Sequence, residues 1–171
     1  MDLLWAPWRM TYLKGLEGKR QDQECVFCIK STAENDRENL VVHRGSLCFV
    51  ILNIFPYNNG HLMVLPFRHV ADMCALTKEE STELWDLSCL SKHILREAFH
   101  PEGFNIGINQ GRSSGAGIES HMHVHIVPRW NGDTNFMPVL GKTKVVSQSL
   151  LETWETLVPY FRSIAGSSAG S

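Results

Sequence analysis

The chain has 171 residues, 43% hydrophobic and 20% charged, with a formal net charge of −2, the balance of one globular domain with a single core. So small a negative charge excludes broad nucleic-acid binding by phosphate neutralisation, and no apolar run is long enough to span a bilayer. Five cysteines, an odd number, with no secretory leader at the start point to reduced thiols and a cytoplasmic home.

In chain order, Leu3-Leu4-Trp5-Ala6-Pro7-Trp8-Arg9-Met10 reads as an arm tucked onto the domain by aromatic burial, and Lys14 to Glu24 as a polar loop. Cys25-Val26-Phe27-Cys28 is either redox-active or half of a tetrahedral metal site. The strand-then-helix setting of a redox pair is not evident around it. Asn39 to His43 and Leu47 to Asn53 form a hairpin about Arg44-Gly45-Ser46, and His61 to Pro66 a third strand after a turn-rich stretch.

Thr77 and Glu80 have the spacing of a capping box. Leu84, Leu87, Leu90, Ile94 and Leu95 then mark an amphipathic helix to about Phe99, stopped at His100-Pro101. His93 and His100 belong to this helix and its end; Cys74 and Cys89 read as small apolar residues. Phe104 to Asn109 is a fourth strand. The glycine-rich loop Gln110 to Ser120 that follows can turn consecutive N–H groups toward a phosphate, although such loops are usually only turns.

His121-Met122-His123-Val124-His125-Ile126-Val127 reads as a fifth strand. Its period of two puts three imidazoles on one face, and Met122, Val124 and Ile126 into the core. On this reading His123 faces the surface and contributes little to the core. A solvated strand would use Thr, Lys or Glu as readily, whereas three imidazoles can supply a nucleophile, a donor and a metal ligand near neutral pH. Ser147 is expected to cap a last helix carrying Leu150, Leu151, Trp154, Leu157 and Phe161, which Pro159 ends or kinks. The domain is expected over residues 1–164, and the small polar tail 165–171 reads as a disordered end or a remnant of cloning.

The strand resembles the signature of the histidine triad family, with all three histidines and four apolar positions filled. Asn53 to His69 resembles that family's second motif. Trp5 to Met10 and Pro128-Arg129-Trp130-Asn131-Gly132-Asp133-Thr134-Asn135-Phe136 resemble a bacterial subgroup that includes diadenosine tetraphosphate phosphorylases. The resemblance implies an α+β fold: an antiparallel sheet of about five strands with helices on one face, pairing sheets across a homodimer. It implies His123 as nucleophile toward an α-phosphorus, with His125 on the reacting phosphate, and His61 and His121 in support. Asn53 would lie near the ribose. Asn109 and the loop residues Gly115, Ala116 and Gly117 would hold phosphate, through backbone N–H groups because Gly117 stands where relatives often carry a hydroxyl or amide.

It further implies structural Zn²⁺ on Cys25, Cys28, His69 and His121. Arg129 is left as a structural ion-pair partner or a phosphate contact across the dimer. The expected function is nucleotidyl transfer from a nucleoside polyphosphate, diadenosine tetraphosphate foremost. A nucleotide hydrolase and a nucleotide-binding regulator with little turnover are the alternatives.

Overall fold

The computed structural model describes residues 25–133 and 148–167. The expected N-terminal arm, the loop Lys14 to Glu24, Ser147 and residues Thr134 to Phe136 lie outside these. The elements are α1 (Val26–Thr32), α2 (Asp36–Asn39), β1 (Val41–Arg44), β2 (Cys48–Leu52), β3 (Leu62–Pro66), α3 (Lys78–Phe99), β4 (Gly103–Ile108), β5 (Val124–Arg129) and α4 (Leu150–Ser167). The strands form one five-stranded sheet in the order β1-β2-β3-β5-β4, antiparallel at every pairing.

Register sorts the side chains into two layers. Cross-strand partners share a face, so Ile51, Met63 and His125 form one row, and Val50, Val64 and Val124 a row on the opposite face. The second face carries the helices. The Cys48 thiol, two residues from Val50, points at Glu80 O on α3 at 3.7 Å, and His43, paired with Val50, stacks on Phe161 of α4 at 5.5 Å. On the histidine face Phe67 stacks on Phe49 at 5.2 Å and Phe27 is buried. Every residue of β2 and β3 is therefore buried. Burial pushes the Cys48 thiol up to about 12, helped by Glu83 and Glu80, so this thiol is chemically inert.

Helix α3 begins as expected: Thr77 Oγ1 accepts from Glu80 N at 3.2 Å and Glu80 Oε2 accepts from Thr77 N at 2.8 Å. It ends on His100, whose φ of 49° is left-handed. The Glu80 carboxylate also accepts from Arg68 Nε at 2.8 Å, fastening the helix start to the chain just past β3. Cys74 and Cys89, read from sequence as small apolar residues, are exposed.

Helix α4 departs from expectation twice. Ser149 and Glu152 form its reciprocal cap, with Glu152 N donating to Ser149 Oγ at 3.2 Å and Ser149 N to Glu152 Oε2 at 2.9 Å. The helix also runs through Pro159 to Ser167, entering the segment expected as a tail. A proline inside a helix costs about 3 kcal/mol. Leu157, Val158 and Phe161 are buried around it, and each such side chain returns about 1.5–3 kcal/mol, so packing wins. The short helices α1 and α2 carry no long apolar periodicity and were not expected from sequence. Among the described residues no helix is long and apolar enough to cross a membrane.

Two expectations follow. Gly60 has φ +73°, and a Cβ there would sit 2.9 Å from Leu95 Cδ2 and 3.1 Å from Phe99 Cδ2. Gly60→Ala therefore adds backbone strain of about 1–2 kcal/mol to overpacking of about 1–3 kcal/mol, and denaturant unfolding should show a loss of about 2–5 kcal/mol. Second, burial against Phe161 holds the His43 imidazole below its ordinary 6.5, only partly offset by Glu83. The unfolded chain therefore takes up this proton first as pH falls, and the native state is lost preferentially below about 6.5. The melting temperature should fall from pH 7 to 5.5, with a shallower decline in His43→Phe, which keeps the stack but cannot titrate.

Candidate functional site

The end of β3, the lead-in to β5, the turn before His61 and the start of α1 meet on the histidine face. Met122, Val124 and Ile126 are buried in the core as expected, but the imidazoles are not on a solvated face: His121, His123 and His125 are 0%, 4% and 8% exposed. The regular strand starts only at Val124, so His121 and His123 lie on an extended lead-in, pinned where Met122 N donates to Val70 O at 2.7 Å. The surface position expected for His123 is thus corrected: Phe27, between the two cysteines, packs on His123 at 5.3 Å and on His121 at 5.6 Å. Sequence reading passed over Phe27 because one aromatic inside a C-x-x-C pair has no periodicity to mark it.

The hydrogen bonds fix which ring nitrogens carry protons. His123 Nδ1 lies 2.9 Å from the carbonyl oxygen of His121. A carbonyl can only accept, so Nδ1 bears the proton and Nε2 keeps its lone pair. Burial holds His123 below its ordinary value, with the bond to His121 pulling the other way. The ring is neutral at pH 7, the state in which an imidazole is nucleophilic.

His61, fully buried, accepts at Nδ1 from Tyr57 N at 3.0 Å. Its Nε2–H is thereby directed to His125 Nδ1 at 3.0 Å. His125 must then carry its own proton on Nε2, 3.4 Å from Asn109 Nδ2; an NH₂ cannot accept, so the Asn109 amide has to turn over and present its oxygen to this donor. A backbone N–H thus orders two imidazoles in series and leaves a donor at His125 Nε2. Tyr57 also lays its ring 4.7 Å from His61 and 5.8 Å from His125. It was not singled out from sequence, since its decisive atom is a main-chain nitrogen that no residue type signals. Asn53 Nδ2 lies 3.4 Å from His61 Nδ1. In the loop, Gly115 has φ 80° and turns its N–H back to Arg112 O at 3.5 Å; Ala116 is buried and Gly117 partly so.

Cys25, Cys28, His69 and His121 converge behind the triad, their ligand atoms all within 4.8 Å of one another. His69 Nδ1 is 3.2 Å from Cys28 Sγ, and His121 Nδ1 is 3.5 and 3.6 Å from the sulfurs of Cys25 and Cys28. His121 donates Nε2–H to Pro66 O at 2.9 Å, which leaves Nδ1 unprotonated toward the thiols. Burial, above all, keeps this ring below its ordinary value. Two sulfurs and two imidazole nitrogens in one cluster are the donor set of a tetrahedral Zn²⁺ site. Arg129 is an ion-pair partner, its Nε 2.6 Å from Asp133 Oδ2.

The HIT domain family model matches residues 34–132. The sequence is 42% identical over 154 residues to AP-4-A phosphorylase of Mycobacterium tuberculosis (strain ATCC 25618 / H37Rv), spanning 88% of this chain and 79% of that one. It is 34% identical over 93 residues to a bis(5'-adenosyl)-triphosphatase of Dictyostelium discoideum, 54% of this chain and 62% of that protein. A Zn-bound histidine triad family protein from Mycobacterium smegmatis superposes with a TM-score of 0.68 at 24% identity, covering 84% of this chain and 97% of that chain. The family model spans more than half of the sequence, and the fold and triad geometry agree with it. The chain belongs to the HIT domain family.

Proposed function

We propose that the protein transfers a nucleotidyl group from a dinucleoside polyphosphate, diadenosine tetraphosphate foremost, to inorganic phosphate through a covalent nucleotidyl-His123 intermediate. The observation that carries this reading is the bond from His123 Nδ1 to His121 O, which leaves the Nε2 lone pair to attack the α-phosphorus. As that N–P bond forms, the bond from phosphorus to the bridging oxygen breaks, and ATP departs. The Nε2–H of His125 donates to a phosphate oxygen where charge accumulates, the main electrostatic task of such a site. Asn109 and the loop from Gly115 to Gly117 hold phosphate oxygens, and Asn53 lies toward the ribose. Inorganic phosphate then attacks the nucleotidyl-His123, returning the electron pair to Nε2 and giving ADP. Similarity to the phosphorylase of Mycobacterium tuberculosis, 42% identical over 88% of this chain, supports phosphate over water as acceptor.

Cys25, Cys28, His69 and His121 would hold Zn²⁺, which would supply folding energy by tying α1 to the lead-in of the triad. A homodimer fits the β4 edge of the sheet: among the described residues β4 has one strand neighbour, and Asn105, Ile106 and Gly107 are exposed along it. A cytoplasmic location is consistent with five cysteines that form no disulfide, and no nucleic-acid partner is expected at a net charge of −2.

His123→Ala should lower turnover of diadenosine tetraphosphate by at least about 10³-fold, as loss of a covalent nucleophile does. Its nucleotide affinity should stay within a few-fold of wild type. With ¹⁸O-labelled phosphate, the wild type should yield ATP and labelled ADP; AMP plus ATP with no labelled ADP would instead make it a hydrolase. For the metal, elemental analysis should find one Zn²⁺ per wild-type chain, and Cys28→Ser should lose it and lower the melting temperature, because binding energy at a structural site is folding energy. Wild-type protein purified without chelator yet free of metal would end the zinc reading.

A further inference from the structure

The turn that delivers Tyr57 N–H to His61 is held from a distance. Asn58 O accepts from His61 N at 3.2 Å, so this residue and His61 move together. The Asn58 side chain reaches across to the far end of β5, where Nδ2 donates to Asp133 Oδ2 at 2.7 Å and to Pro128 O at 3.1 Å. Asp133 itself is gripped by Arg129 Nε at 2.6 Å and Nη2 at 2.7 Å, and by Trp130 N at 3.2 Å. Among the described residues a second fastening of the turn runs through Asn59 to Gln148 and Thr153 of the α4 end, with longer contacts of 3.5 and 3.3 Å between neutral groups. A hydrogen bond to a carboxylate is shorter and about twice as strong as a neutral one, so the Asp133 contact is the stronger of these two.

We propose that Asn58 and Asp133 are positioning residues: their hydrogen bond sets the turn so that Tyr57 N–H meets His61 Nδ1, and through His61 it fixes the tautomer and aim of His125. Neither residue touches the reacting phosphorus. The proposal rests on the nucleotidyl-transfer reading for its kinetic consequence and on geometry alone for its tautomeric one. The ion pair of Arg129 with Asp133 is then the rigid base of a lever whose working end is an imidazole in the site.

The test is Asn58→Ala in the full-length protein, which removes the donor and leaves the Arg129–Asp133 ion pair standing. Long-range ¹H–¹⁵N spectra of the imidazoles should show His61 in the wild type with Nδ1 unprotonated and Nε2 protonated, and in the variant with both nitrogens drawn toward the average of the two tautomers. With diadenosine tetraphosphate, kcat should fall at least tenfold while KM stays within twofold. Asn58→Asp sets two carboxylates together and should be at least as impaired. An unchanged His61 spectrum in Asn58→Ala, or a kcat that stays within twofold of wild type, would overturn the proposal. A wild type that turns over no dinucleotide would retire the nucleotidyl-transfer reading, and the imidazole spectra would still decide the lever.

Discussion

The backbone carbonyl of His121 is the atom on which the two halves of this site depend. It accepts from His123 Nδ1 at 2.9 Å, while the ring of the same residue faces the thiols of Cys25 and Cys28. One residue therefore orients the His123 ring with its main chain and joins the cluster of Cys25, Cys28 and His69 with its side chain. Such a double use is available only where the chain is extended but not yet hydrogen-bonded into a ladder. That is the condition of His121 to His123, which precede the first paired residue, Val124. The lead-in keeps the period of two of a strand while freeing its carbonyls for side chains.

Burial is the second constraint. Phe27 above and the packed sheet below take His123 almost wholly out of water. A buried polar ring is tolerable only if its hydrogen bonds are made, and each imidazole here has an identified partner. The same desolvation keeps His121 and His123 neutral. The energy that buries them and the protonation state the chemistry needs thus have one cause.

Much of this was legible in the sequence, for reasons that can be named. The period-two apolar residues Met122, Val124 and Ile126 found their core, and the Thr77/Glu80 spacing gave a reciprocal cap, because both signals are local. The gathering of Cys25, Cys28, His69 and His121 was reached through family resemblance; spacing alone left a redox pair open. What stayed hidden was non-local or main-chain. The burial of the triad depends on Phe27 of another segment, and the proton order of His61 and His125 on the N–H of Tyr57. Pro159 does not end its helix: its local cost was visible in the sequence, whereas the packing of Leu157, Val158 and Phe161 that outweighs it was not.

The dependence on Tyr57 N–H bears on how this site can vary through descent. A donor that belongs to the peptide group survives replacement of the tyrosine ring by any residue except proline. The ring can therefore drift, changing what lies against His61 and His125, while the direction of proton sharing beneath it is inherited unchanged. What packs on the two imidazoles and how their protons are ordered are written in different parts of the same residue, and selection can act on one without disturbing the other.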